Sequence, residues 1–488
     1  MSILSDKLLY FVNQKKQNIA GLARETGIER STLYQYLKGR RPLQNRAQLE
    51  LLMSHLHLTP DERAEVLEAY TIARIGEKNY NRRRKVREIL ESLLTVEERK
   101  GASPQPEGKW PPVETGQSRL IQGELEVSRA VSQVLRETAA HGGELKLLVQ
   151  PDYDQWLESL MLVGDGAGEV RVTQLICLEA DSGPDGCSNL ESIRRILRCG
   201  IGIRCYEPRY FYGKSQEHYG VMNVLPYLAV TEHYAMQISA DKKAAFLHRD
   251  PGAIAYLGSL FENMRRQSFP LMVSLDGFGG SQAQWGTEYL KTADFSHTME
   301  MSSGLCSVQF WDERLIRKYM NRNLPGYETM IENYIAYTAG LYRAKRQGQV
   351  TVLMNLSFVE EFIRTGVFRE YPAVFFAEPM SPEDRWELIR RILKAVEEGW
   401  YHIRMVPAEE FSLNDHWEIL VHRGSSMLFQ YVFRNQFRIF RFEEKDILEA
   451  VYDYLESAAV GENVLDDSQS AALLRQWGEQ YLGQKEIL

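Results

Sequence analysis

Cysteine is scarce in this sequence, and the little there is forms no pattern. Cys177, Cys187, Cys199, Cys205 and Cys306 are odd in number, never spaced C-x-x-C, and absent from the first ninety residues. That argues against a disulfide framework and against a thiolate zinc site, and it fits a reducing cytoplasm. Long apolar runs are missing too. No stretch approaches the ~18 apolar residues of a membrane-spanning helix, so no membrane partner is expected. The opening MSILSDKLLYFVNQKK carries Asp6 and Lys7 inside an amphipathic pattern, where a signal peptide needs an unbroken apolar core. The G-x-x-x-x-G-K-[S/T], G-x-S-x-G and H-E-x-x-H motifs are also absent. The carboxylates are spread through helical patterns as solvated pairs, so no catalytic residue, cofactor or metal is expected and the chain is not read as an enzyme.

What is present is ordinary globular material: 488 residues, 44% hydrophobic and 25% charged, enough for roughly three domains. Charge is distributed unevenly. Residues 1 to 94 carry 17 Lys and Arg against 11 Asp and Glu, a net of +6 that leaves −14 of the overall −8 on the rest. A basic front on an acidic body points to a polyanion as the partner of the front alone.

In that front, Ile3, Leu4, Leu8, Phe11 and Val12 recur at helical spacing. Asn18 stands where an N-cap belongs, ahead of a second helix whose apolar face is Ile19, Leu22 and Ala23. Gly27 supplies the left-handed residue that closes it. A third helix, ERSTLYQYLKG, turns Leu33 and Leu37 inward and Arg30, Ser31, Tyr34, Gln35 and Lys38 outward. Side chains of that kind read base edges and hold phosphates when a helix enters the major groove. Arg40 and Arg41 follow directly.

These residues resemble the helix-turn-helix of the Cro and lambda repressor-like (XRE) family over about residues 3 to 75. The likeness rests on Leu22-Ala23-x-x-x-Gly27, on Ser31-Thr32-Leu33 and on Leu37-Lys38-Gly39-Arg40-Arg41-Pro42, followed by QNRAQLELLMSHLHL and TPDERAEVLEAYTIARIG. It implies that Arg30, Ser31 and Gln35 read bases. Asn18, Lys38, Arg40 and Arg41 would hold phosphates, with Thr32 and Tyr34 on the same face. It further implies double-stranded DNA bound by a homodimer on paired half-sites. The family's usual Ser or Thr N-cap is replaced here by Glu29.

The expected layout is a multidomain chain, an all-α helix-turn-helix domain (1–75) followed by a large α/β (α+β) body. A basic connecting helix (76–94), EKNYNRRRKVREILESLL, is open to three readings: phosphate contact, dimerisation or a solvated face. A Pro- and Gly-rich linker (95–118) follows. Helices alternate with short apolar strands in an α/β sensor-like domain (119–275). The glycine-rich junction DGFGGSQAQWG (276–286) leads to a second α/β domain (287–488) with C-terminal helices. Both segments show strand-helix-strand succession with a late hairpin, which allows two similar halves.

The α/β body loosely resembles phospholipase D-like domains but lacks their His-x-Lys-x4-Asp motif. His218 is followed by Tyr-Gly, His233 by Tyr-Ala, His248 by Arg-Asp, His402 by Ile-Arg and His422 by Arg-Gly. The nucleophile and its lysine are missing, so the likeness implies a ligand-binding relative without the activity. Gly164-Asp-Gly166-Ala-Gly168 follows a helix and precedes a strand, the reverse of a dinucleotide loop, and reads as a turn. Two aromatic clusters, 205–213 (Tyr206, Arg209, Tyr210, Phe211, Tyr212) and 227–234 (Tyr227, Glu232, His233, Tyr234), suit either pocket lining or core packing. The expected function is a sequence-specific transcriptional regulator whose body senses a small molecule or protein, or dimerises. The alternative is a phosphodiesterase- or nuclease-like effector enzyme with a regulatory helix-turn-helix attached.

Overall fold

The computed structural model describes residues 2–43, 45–93, 114–151, 153, 156, 160, 169–180, 186–214, 218, 223–276, 286, 288–413, 416–433 and 436–483. They fall into two compact units, one built on Met1–Arg84 and one running from Lys85 onward. The turn expected at 164–168, and all but the ends of the linker and of the glycine-rich junction, lie outside the described residues.

The first unit is all-helical: α1 (Ile3–Gln14), α2 (Ile19–Thr26), α3 (Arg30–Leu37), α4 (Arg46–His55) and α5 (Pro60–Ile75). Local chemistry sets most boundaries. Ser2 and Thr59 make reciprocal capping boxes with Ser5 and Glu62, and Pro60 takes the first turn of α5. Gly27, at φ 68°, ends α2 in the left-handed region, and Ile28 then enters the core. Leu8, Leu22, Leu33, Leu49 and Val66, each at most 1% exposed, tie all five helices to one centre.

Helix α6 (Glu77–Ser92) continues the chain, and from Lys85 on it belongs to the second unit. Its apolar side, Val86, Ile89 and Leu90 together with Leu93, is buried in the core of the body. That face is therefore used in packing the body.

The body opens with β1 (Ser118–Gln122), α7 (Glu124–His141), β2 (Gly143–Leu148), β3 (Val170–Leu178), α8 (Ser188–Gly202) and β4 (Cys205–Tyr212). It continues with β5 (Tyr227–Val230), β6 (Ala235–Ile238), β7 (Ala244–His248), α9 (Pro251–Arg266) and β8 (Phe269–Pro270). Residues 118–122, which by pattern extend the linker and then a helix, form a strand instead. They pair antiparallel with β7, and Gly123 at φ 99° separates them from α7.

The chain then changes sheet at Leu271: β8 pairs with β4, while β9 (Met272–Asp276) pairs with β15 (Gln436–Phe442). This crossing precedes the glycine-rich stretch expected to mark the junction, because β9 finds its partner at the far end of the chain. The remaining elements are β10 (His297–Ser302), α10 (Glu313–Tyr319), α11 (Tyr327–Arg346), β11 (Gln349–Asn355), α12 (Leu356–Thr365) and α13 (Pro382–Glu397). The last are β12 (Tyr401–Val406), β13 (Trp417–His422), β14 (Ser426–Phe433), β15 (Gln436–Phe442), α14 (Lys445–Ala458) and α15 (Asp467–Leu482).

The strands make two mixed sheets, ordered β1-β7-β6-β5-β2-β3-β4-β8 and β12-β11-β10-β13-β14-β15-β9. With β8 set aside and the first sheet read from its other end, the order is the same. In each, three parallel strands (β2, β3, β4 and β10, β11, β12) adjoin an antiparallel run, and the earliest strand returns to the far edge. The two halves therefore share one topology. They also share a core in which Val172 and Ile176 of the first sheet belong with Trp417, Phe429 and Phe440 of the second.

Leu33→Ala should destabilise the first unit by about 2–5 kcal/mol, the usual cost of truncating a fully buried leucine. Urea unfolding followed by circular dichroism would show it as an early transition. A change below ~1 kcal/mol would mean that α3 is not anchored by this residue.

Candidate nucleic-acid interface and an internal cavity

Helices α2 and α3 meet across Gly27-Ile28-Glu29, and each start is set by a different chemistry. At α2, Asn18 Oδ1 accepts from the Ala20 amide at 2.9 Å, so the predicted N-cap is made while its amide nitrogen faces outward on an exposed residue. At α3, Glu29 makes no backbone cap; its carboxylate accepts instead from Ser31 Oγ at 2.5 Å and Thr32 Oγ1 at 3.4 Å. The substitution noted in the sequence thus ties two of the expected DNA-facing hydroxyls to a negative charge.

Arg30, Ser31, Tyr34 and Gln35 are exposed, and with half-buried Lys38 they occupy one side of α3 at helical spacing. Thr32 is half-buried beside them, while Leu33, Tyr36 and Leu37 face the core. Among the described residues, the side chains of Arg30, Gln35 and Arg40 are held by no hydrogen bond or ion pair. Lys38 lies over the Tyr34 ring and Arg41 over the Tyr36 ring, each 5.9 Å from the centroid. The exit is fixed by Gly39 at φ 65° and by the Gln35 carbonyl, which accepts from the Arg40 and Arg41 amides at 2.9 and 3.3 Å. The structure brings Arg30, Ser31, Thr32, Tyr34 and Gln35 together on one helix, with Lys38 at its C-cap, Arg40 and Arg41 on the turn that leaves it and Asn18 at the start of the helix before it.

The aromatic clusters of the first half are built into the fold. Tyr206 is buried with its hydroxyl on Gln174 at 2.8 Å, Tyr212 donates to Glu444 at 2.6 Å, and the Tyr234 hydroxyl bonds Glu137. A cavity of about 240 Å³ lies elsewhere, in the second half, among residues that carried no motif. It sits where β10, the innermost parallel strand, adjoins antiparallel β13. Glu300 and Ser302 project from the same face of β10, and the register sets Ser302 opposite Glu418, whose carboxylate accepts its hydroxyl at 2.5 Å. Helix α11 covers them, with Tyr334, Tyr337 and Lys345 lining the space.

Lys345 Nζ lies 2.5 Å from Glu300 Oε1, with both side chains 2% exposed, and also donates to Gln309 at 3.2 Å. Cys306, itself in the left-handed region at φ 47°, donates its thiol to Glu300 Oε2 at 2.9 Å. Burial and that carboxylate push the thiol well above its ordinary range, so it is a neutral donor rather than a nucleophile. A third carboxylate, Glu370, packs against Gly304 so closely that a Cβ there would sit 1.7 Å from its Oε1. Burial raises the Glu370 carboxyl against the opposing pull of backbone amides, and burial together with Glu370 pushes Glu418 up to about 8. His422, at the end of β13, is pinned by Thr298 at 2.9 Å and by Tyr289, and burial lowers its imidazole to about 3.

A family model described as a helix-turn-helix domain matches residues 14–66. Residues 14–66 form a helix-turn-helix domain. The match covers α2, α3, α4 and the first seven residues of α5, and nothing in it extends to the body. No curated protein matches the chain. Among solved structures, the chain is similar to TrmBL2, an archaeal chromatin protein whose structure is described as showing a novel mode of DNA binding, at 12% identity over 55% of this chain and 100% of that one, TM-score 0.22. It is similar to a polyphosphate kinase from Porphyromonas gingivalis at 11% identity over 90% of this chain and 64% of the kinase, TM-score 0.22. A phosphatidylserine synthase from Haemophilus influenzae Rd KW20 aligns at 8% identity over 76% and 94%, TM-score 0.23. At TM-scores this low, none of the three fixes a fold or an activity for this chain. No described helix is long and apolar enough to cross a membrane.

The two perturbed groups set a pH dependence of stability. Glu418 binds its proton more tightly folded than unfolded, so its contribution is complete below the unfolded carboxyl range and is lost as pH rises toward about 8. His422 acts oppositely, losing stability as pH falls from about 6.5 toward about 3, so the two offset one another in mild acid. Between pH 6.5 and 8 the His422 effect is spent and the raised acids remain, so stability should fall as pH rises, Glu418 contributing up to about 1.4 kcal/mol per pH unit. Urea unfolding of the body should show that slope in the native chain and a flatter one in Glu418→Gln; a native chain indifferent to pH there would contradict it.

Proposed function

We propose that the protein is a sequence-specific DNA-binding transcriptional regulator, with α3 as the reading helix and the α/β body as a ligand-responsive or dimerising module without catalytic activity. The observation that carries this is the α3 face: Arg30, Ser31, Tyr34, Gln35 and Lys38 displayed on a helix-turn-helix domain, leading into Arg40 and Arg41. Arginine is suited to guanine and glutamine to adenine, while the cations and Asn18 at the positive end of α2 suit phosphates. One domain of this size buries little DNA surface, so binding as a homodimer to half-sites about 34 Å apart is the arrangement that yields useful affinity. The net charge of +6 on residues 1–94 supports the same partner.

Three replacements separate the roles, each measured by selection of bound sequences and by titration at several salt concentrations. Gln35→Ala should relax preference at one base position, at a cost of about 1–3 kcal/mol on the preferred site. Arg40→Ala should weaken all sequences alike and lower the salt slope by about one ion. Glu29→Gln should tighten binding generally, since it removes a carboxylate from the DNA-facing start of α3. If Gln35→Ala leaves the sequence preference unchanged, α3 is not the reader in this orientation.

A further inference from the structure

We propose that the cavity beneath α11 is a binding site for a small organic cation, an ammonium carried on an apolar or aromatic body. This deepens the reading of the body as ligand-responsive and rests on it only for the consequence of binding, not for the site. The cavity is acidic beyond its own means of compensation. Among the described residues, Glu300, Glu370 and Glu418 line it together with one cationic side chain, Lys345. That lysine is already engaged by Glu300 at 2.5 Å. Glu370 leans on backbone amides, including that of Arg369 at 3.2 Å, and Glu418 accepts the Ser302 hydroxyl. Glu370 and Glu418 are thus the two acids that Lys345 does not engage as an ion pair, and Glu418, on β13, lines the open space.

The remaining walls match the rest of such a ligand. Tyr334, Tyr337, Tyr371, Trp311 and Phe437 present aromatic surface to the same space. An ammonium gains from aromatic faces and from a carboxylate together, and the gain grows when water is excluded. An anion would face three acids, and a neutral apolar molecule would displace water from Glu418 while leaving it the Ser302 hydroxyl alone. Exposed Pro325, Gly326 and Thr329 at the start of α11 form the rim by which a ligand would enter. At ~30 Å³ per water in the liquid, and with covalently joined atoms closer than separate waters, the volume suits a molecule of about ten heavy atoms.

A cation would also replace a proton. The groups facing Glu418 are Glu300 from β10, Glu370 and Tyr371 from the segment after α12, Lys345, Tyr334 and Tyr337 from α11, and Cys306. Without ligand their balance keeps Glu418 protonated near neutrality, so binding should release a proton and tighten as pH rises from 6.5 to 8.

The test is calorimetric titration of the full chain with phenethylammonium, with 2-phenylethanol as its neutral counterpart and 3-phenylpropanoate as the anion. Phenethylammonium should bind at least tenfold more tightly than the alcohol and the anion should not bind. Proton release should appear when buffers of different ionisation heat are compared. Glu418→Gln should cut the affinity at least tenfold and abolish the proton release. Equal binding of alcohol and ammonium, ammonium binding untouched by Glu418→Gln, or no binding of the ammonium at millimolar concentration would each overturn the proposal. Gly304→Ala, which drives a methyl group into Glu370, gives a second disturbance of the same acidic wall and should weaken the ammonium alone. DNA affinity measured on the same preparation stands apart: its failure would overturn the regulator reading and leave the calorimetric result intact.

Discussion

The second half of the body is organised around a carboxylate in the middle of a sheet. Glu300 lies in β10, with β11 on one side and β13 on the other, where strands are normally continuous apolar runs. An unpaired charge at that depth costs several kcal/mol, and Lys345 removes most of that penalty. Because the lysine sits in the last turns of α11, meeting Glu300 draws that long helix across the carboxyl end of β10. The cavity is the space left between helix and sheet once the ion pair has fixed their separation. Gly304, Cys306 and Glu370 fit around the same end of the strand, each in a position that another residue type would disturb.

The helix-turn-helix works from the opposite principle. Its five helices bury one small apolar cluster, and nearly every boundary is set by a residue within a turn of it: Ser2, Asn18, Gly27, Asn45 and Thr59. Nothing charged needs burying, so the polar residues are left for the surface. Glu29 is the exception, since it draws Ser31 and Thr32 toward a carboxylate at the start of α3. The price of holding those hydroxyls is a negative charge on the proposed DNA-facing side.

Repetition of one topology explains how so long a body stays compact. Each half places three parallel strands beside an antiparallel run, and in each a strand that comes early in the chain closes the far edge. That return moves the chain from the first sheet to the second at Leu271 and ties residues 272–276 to 438–442. Contacts of such sequence separation close a long loop and link the middle of the chain to its end.

Sequence determined what depends on near neighbours. The Asn18 cap, Leu33 and Leu37 turned inward, Gly27, and the outward set from Arg30 to Lys38 were all legible, because a helix fixes which residues share a face by spacing alone. The alternation of helices and strands in the body was legible for the same reason, as was the late hairpin of β14 and β15. Tertiary structure decided the rest. HTMEMS carries too many polar residues to read as a central strand, and residues 118–122 read as linker and helix until β7 is there to pair with them. The cavity drew no signal at all, since Glu300, Cys306, Lys345, Glu370 and Glu418 are scattered over more than a hundred residues without a motif. They meet only because strand order and register bring the end of β10, the face of α11 and the start of β13 to one place, and register is a property of pairs of strands that no single segment contains.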